Sequence, residues 1–189
     1  MVPRPFARFD SPRMKLFKLL WSTHKWTGIV LGVVFLNIAI TGIFLLLKKD
    51  FEWIQPRTQS GVSGDLSSFI TNQKLFEVVL AEGHPDFKTI EDIDRVDFRL
   101  SKRVHKVRSV HNYSEIQVDA VTGKILSSEM RRSDWFERLH DGSLYGSWAH
   151  DWLMPVVACG LVFLVLSGLY IWYFPVWKKR RRLRAKNRS

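Results

Sequence analysis

Two long runs without a charged side chain constrain this chain more than any other feature. Residues 26–47 form an uninterrupted apolar stretch of 22 residues, and residues 153–177 form a second. About 20 apolar residues in a helix cross the ~30 Å of hydrocarbon in a bilayer. Lipid has no partners for open backbone N–H and C=O groups, so both runs are expected to be helical. Pro155 suits a first helical turn, where a missing N–H leaves nothing unpaired. Pro175 falls where the second span is expected to end. Trp21, Trp26, Trp53, Trp148, Trp152, Trp172 and Trp177 gather at the four expected membrane interfaces, as an aromatic belt does. A cleaved signal peptide has an apolar stretch of only about 7–15 residues and ends in small side chains. The first run is longer and ends Leu-Leu-Leu-Lys-Lys-Asp, which reads as an uncleaved anchor.

Charge gives the spans a direction. The 189 residues hold 29 Lys+Arg and 18 Asp+Glu, a net charge of +11. Residues 1–25 carry +5, residues 178–189 carry +8, and residues 48–151 carry −2. The basicity therefore belongs to the two ends. Basic segments stay in the cytoplasm, so residues 50–151 are expected on the far side, a bacterial periplasm. The tail is expected to lie against anionic lipid headgroups. A nucleic-acid binder needs a basic fold or patch with aromatic readers, and that class is set aside, with no nucleic acid expected as a partner. The single cysteine, Cys159, excludes a disulfide framework.

Between the spans the pattern changes. Leu66, Phe69, Ile70, Leu75, Phe76, Val79 and Leu80 have helical spacing, and Gly83 and Pro85 end the run. Residues 93–100 alternate, with Val96, Phe98 and Leu100 on one face. Val104, Val107 and Val110 suggest a second, less regular strand, and residues 115–119 a third. Residues 119–123 form a turn ending in glycine, followed by Lys-Ile-Leu. Residues 134–140 form a short helix that Ser133 can cap. A helix and an antiparallel meander of about 60 residues make a marginal core, so packing on the membrane or a partner is expected. Leu16, Phe17, Leu19, Leu20 and Trp21 stand among lysines and read as an interfacial helix or a continuous extension of the first span.

These residues resemble a known family. Residues 118–126, Val-Asp-Ala-Val-Thr-Gly-Lys-Ile-Leu, are similar to the closing hairpin of PepSY domains. His-Lys-Trp-Thr-Gly-Ile-Val-Leu-Gly at 24–32, then Thr41-Gly42, is similar to the first helix of PepSY-associated transmembrane proteins. So are residues 139–146, Leu-His-Asp-Gly-Ser-Leu-Tyr-Gly, and residues 167–172, Ser-Gly-Leu-Tyr-Ile-Trp. The resemblance implies an inner-membrane protein with a periplasmic PepSY domain. Larger members include ferric-siderophore reductases that move electrons through histidine-ligated haems. Other PepSY proteins modulate proteases.

The histidines are the candidate chemistry, since imidazole is a common axial ligand to haem iron. His24 sits at the expected cytoplasmic mouth of the first span, on a helical seam with Gly28, Gly32 and Gly42. That seam reads as plain helix packing or as room for a flat macrocycle. Gly160, Ser167 and Gly168 are the small residues expected to pack on the second span. His140 and His150 flank the outer end of that span, each a haem ligand or a polar cap. His24 is expected on the opposite side of the bilayer, so one haem cannot join it to the others. An inner haem would need His24 from two chains, or a partner's ligand. His84, His105 and His111 read as surface histidines.

The expected fold class is a membrane protein, α+β, with two transmembrane helices flanking a small helix-plus-antiparallel-sheet domain of PepSY type. The expected divisions are a basic head and interfacial helix at 1–25, a first span at 26–48, and the PepSY-like domain at 50–132. An interfacial helix and loop at 133–151, a second span at 152–177 and a basic tail at 178–189 complete it. The leading functional expectation is an electron-transfer subunit holding haem b through His24, His140 and His150, working as a homo-oligomer or within a larger membrane complex. The alternatives are a non-catalytic accessory or assembly subunit, and a protease modulator. No hydrolase, phosphate-loop or dinucleotide motif is present.

Overall fold

The computed structural model describes residues 12–186. Arg4 and Arg8 of the basic head and Arg188 of the tail lie outside the described residues. The chain divides into two compact units, one formed by residues up to Ala39 with those from Asp141 onward, the other by Ile40–His140.

The first unit is a helical pair. Helix α1 (Pro12–Leu46) is continuous, so the segment rich in leucine and lysine before the first apolar run extends it. Helix α4 is Met154–Lys186. The apolar windows of the two have mean hydropathies of 2.7 and 2.3, and only 6% and 11% of them are buried. Side chains such as Val33 and Leu46 stand exposed. In water each such side chain forgoes about 1.5–3 kcal/mol of burial, a loss that a lipid surround removes. These are membrane helices, and the protein is a membrane protein.

The helices pack antiparallel in fixed register. Phe17 stacks on Phe174 with centroids 4.9 Å apart. His24 meets Ser167. Leu164 would lie 3.7 Å from a Cβ at Gly28, and a Cβ at Gly160 would collide with Leu31. The contacts step by seven, four and three residues along α1 and by seven, three and four along α4, the spacing of interlocking helical seams. Gly28 and Gly160 are thus hollows that receive leucines from the facing helix. Gly32 has nothing within 4 Å and lies outside this seam.

Helix α4 does not stop at Pro175 but runs through it. Lys and Arg are good helix formers, so the cationic run after Trp177 prolongs the helix. The guanidinium groups of Arg13 and Arg181 lie over the Trp177 ring, 5.3 and 4.7 Å from its centroid. Ahead of α4, residues Ala149–Leu153 form a wide π-type turn. Pro155 has no N–H for the carbonyl of Asp151, which loosens the ladder at this point.

The second unit is an α+β domain. Helix α2 (Asn72–Ala81) starts later than the apolar spacing suggests, because Thr71 caps it by accepting from the Lys74 N–H. Strands β1 (Ile93–Arg99), β2 (Val104–Ser109), β3 (Ser114–Asp119) and β4 (Ile125–Met130) form one antiparallel sheet in sequence order. Leu75, Val79 and Phe87 pack against Val107, Ile116 and Val118 to make the core. Helix α3 (Arg132–His140) closes the unit. Ser133 lies inside that helix and not at its cap, and its N–H donates to the Ile54 carbonyl.

Every residue of β2 and β3 is buried, which explains the irregular valine spacing of β2. Register pairs Val107 with Ile116 on the core face, whereas Lys106 and Arg108 pair with Gln117 and Glu115 on the other. A strap across residues 54–62 covers that polar face. The Gln59 N–H donates to Gln117 Oε1 at 2.8 Å, and Val62 N–H donates to Asp119 Oδ2 at 2.8 Å. The strap comes so close at Gly61 that a Cβ there would strike the Arg103 carbonyl. Beneath it Glu115 accepts from Lys106 at 3.0 Å and from Arg131 at 3.3 Å.

Candidate functional site

The two units carry the same small arrangement. In the first, Ser167 is buried on α4, and its hydroxyl donates to the Phe163 carbonyl at 2.6 Å, one turn back. With that proton committed, the Ser167 oxygen accepts from His24 Nδ1–H at 2.8 Å. His24 Nε2 is the ring nitrogen left without a hydrogen bond among the described residues. The neighbouring Gly168 leaves room for the ring, since a Cβ there would lie 3.3 Å from His24 Cε1.

In the second unit His140 is the last residue of α3. Its Nδ1 lies 3.0 Å from the hydroxyl of Thr41, which is buried. A Cβ on Gly42 would lie 3.4 Å from His140 Cε1. One turn earlier, Phe136 stacks on Phe44 at 4.6 Å. The start of α3 is anchored to the sheet, because Arg131 bridges Asp134 at 2.6 Å and Glu115 at 3.3 Å. Packing at both ends of α3 therefore sets where His140 stands.

Each histidine is thus held at Nδ1 by a helix hydroxyl, with its Cε1 edge over the glycine that follows. Ser167-Gly168 serves His24, and Thr41-Gly42 serves His140. In both, Nε2 makes no hydrogen bond among the described residues. A hydroxyl on one imidazole nitrogen orients the ring and frees the other nitrogen to ligate a metal. Gly42, Ser167 and Gly168 therefore do more than the helix packing that the sequence suggests. The signal for this lay in the repeated hydroxyl–glycine pair.

His150 has a different setting. It is exposed, and its Nδ1 meets only the adjacent Asp151, at 2.8 Å. His105 is not a surface residue: it is buried, stacked on Phe98 at 4.5 Å, and neither ring nitrogen has a partner among the described residues. Its burial holds it neutral by lowering its pKa below the ordinary value. His84 Nδ1 accepts from the Asp86 N–H at 3.1 Å, and His111 Nε2 pairs with Asp92 at 3.0 Å. Backbone N–H groups of Thr89 and Lys88, then His111, bring the Asp92 carboxyl down to about 2. No three His, Cys, Asp or Glu side chains gather as a metal-binding group among the described residues.

The donor set fits haem in part. Among the described residues His24 and His140 each offer one imidazole nitrogen free of hydrogen bonds, and a haem with two histidine ligands would need its second from elsewhere. No curated protein matches the sequence. Residues 21–189 match the family model described as the PepSY-associated TM region, so the chain belongs to the PepSY-associated transmembrane family.

Proposed function

We propose that this protein is a haem-ligating electron-transfer subunit of a bacterial inner membrane. The observation that carries the reading is the shared setting of His24 and His140, with Nδ1 tied to a hydroxyl and Nε2 open. Family membership supports the membrane setting and the PepSY class. Haem b, when bound, would supply one-electron redox chemistry. The chain's own part is to orient two imidazoles and limit their rotation through Ser167 and Thr41.

Both termini are cytoplasmic in this reading and residues 50–151 are periplasmic, because the net charges of +5 and +8 lie at the two ends. His24 and Thr41 lie toward opposite ends of the first charge-free run, so in this reading two separate haems are bound, one toward each membrane face. One imidazole per place calls for a second copy of the chain or a larger membrane complex to complete each ligand set. His150 of a second copy is the candidate second ligand at the outer face.

The test is an absorption spectrum of the full chain purified in mild detergent from haem-replete cells. A Soret band with an α-band that sharpens on dithionite reduction supports the reading. A colourless preparation that co-purifies with other membrane subunits would assign the protein to the accessory class, and one that co-purifies with a protease would make it a modulator.

A further inference from the structure

The Ile40–His140 unit contains a cavity of about 480 Å³ that the proposed redox function does not use. Its walls carry Lys49, Arg57, Arg99, Lys102, Lys106 and Arg131, and no carboxylate lines it. That volume is in the range of small-molecule sites.

Local ion pairs neutralise only part of this charge. Arg131 and Lys106 share Glu115 beneath the strap, and Arg131 also holds Asp134. Arg57 pairs with Glu52 at 2.7 Å. Among the described residues, Lys49, Arg99 and Lys102 have no carboxylate partner. Lys102 Nζ instead donates to the Thr58 carbonyl at 2.8 Å, which ties it to the strap. Lys106 is only 2% exposed, and desolvation lowers its pKa. An anion in the cavity would face three cations that have no carboxylate partner among the described residues. Arg99 and Arg57 supply the planar forks that match tetrahedral oxyanions. The wall begins at Lys49, three residues after α1 ends at Leu46, so it starts near the expected membrane surface.

We infer that this cavity is a binding site for a phosphate group, free or on an anionic lipid headgroup. It is independent of haem binding, and either inference stands without the other.

The test uses the full chain in nanodiscs. In phosphatidylcholine discs, inorganic phosphate and pyrophosphate are titrated by calorimetry. In a second arm, melting is compared between phosphatidylcholine discs and discs containing 30% phosphatidylglycerol, a composition chosen for the test. The comparison variant is Arg99→Gln with Lys102→Gln, two exposed positions whose replacement spares the core. Saturable binding of free phosphate that weakens at least tenfold in the variant supports a soluble ligand. Phosphatidylglycerol-dependent stabilisation that the variant loses, with no binding of free phosphate, supports the headgroup. Absence of both effects, or equal effects in wild type and variant, overturns the inference. Circular dichroism and haem content, read on the same samples, keep a folding failure or a failure of the redox reading distinct from a failure of this one.

Discussion

His140 Nδ1 and the Thr41 hydroxyl stand 3.0 Å apart, although 99 residues separate them in sequence. Thr41 is followed by Gly42, whose bare backbone leaves room for the same ring. His24 repeats this with Ser167 and Gly168 at the other unit. Two histidines so placed are the basis of the redox reading.

Thr41→Val keeps the shape of the side chain and removes the hydroxyl. Losing one such hydrogen bond costs about 1 kcal/mol. The full chain in detergent should melt at a lower temperature by the equivalent of that loss. Ser167→Ala should act in the same way on the helical pair and leave His24 free to rotate. Thermal unfolding followed by circular dichroism measures both.

The helix seam predicts a contrast between two glycines. Gly160→Leu places a side chain where Leu31 already sits, and should destabilise the pair by about 1–3 kcal/mol. Gly32→Leu enters open space and should change stability by no more than about 0.5 kcal/mol. Unfolding in mixed micelles with increasing dodecyl sulfate compares them.

Acid should weaken the PepSY-type domain in two windows. His105 has a folded pKa lowered by burial, so its contribution is present above the unfolded value of 6.5 and fades as pH falls below it. His105→Phe preserves the stacking on Phe98 and should flatten the stability profile as pH falls below 6.5. Asp92, at about 2 when folded, stabilises above its ordinary 3.8 and loses this as pH falls toward 2. Asp92→Asn should lessen the loss in this lower window. Denaturant melts across pH for the three proteins separate the windows.

Glu115→Gln leaves Lys106 and Arg131 buried beneath the strap with weaker compensation. Breaking a buried ion pair from one side costs about 3–5 kcal/mol. The variant should unfold at markedly lower urea, while α1 and α4 keep their helical signal.

The spans and their helical form were legible because charge-free runs in lipid leave one backbone solution. Strand β3 was legible because residues 115–119 alternate cleanly. Strand β2 was harder: both faces of the sheet are covered, so Lys106 and Arg108 are buried beside Val107 and the alternation of polarity is lost. The same masking concealed His105, whose charged neighbours suggest an exposed site. Pro175 marks the expected end of the second span, and the helix itself runs on through it because the cationic residues beyond are good helix formers. The glycines and hydroxyls beside the histidines were visible as small residues. Their partnership was not, because it joins positions 99 and 143 residues apart.

Haem content of ligand variants decides whether His24 and His140 hold haem. Haem per chain is measured by the pyridine haemochrome in wild type, His24→Ala, His140→Ala and the double variant, all purified as the full chain. Each single variant should lose one of two haem populations, and the double variant should lose both. Wild-type protein without haem, or single variants that retain the full wild-type content, would contradict it.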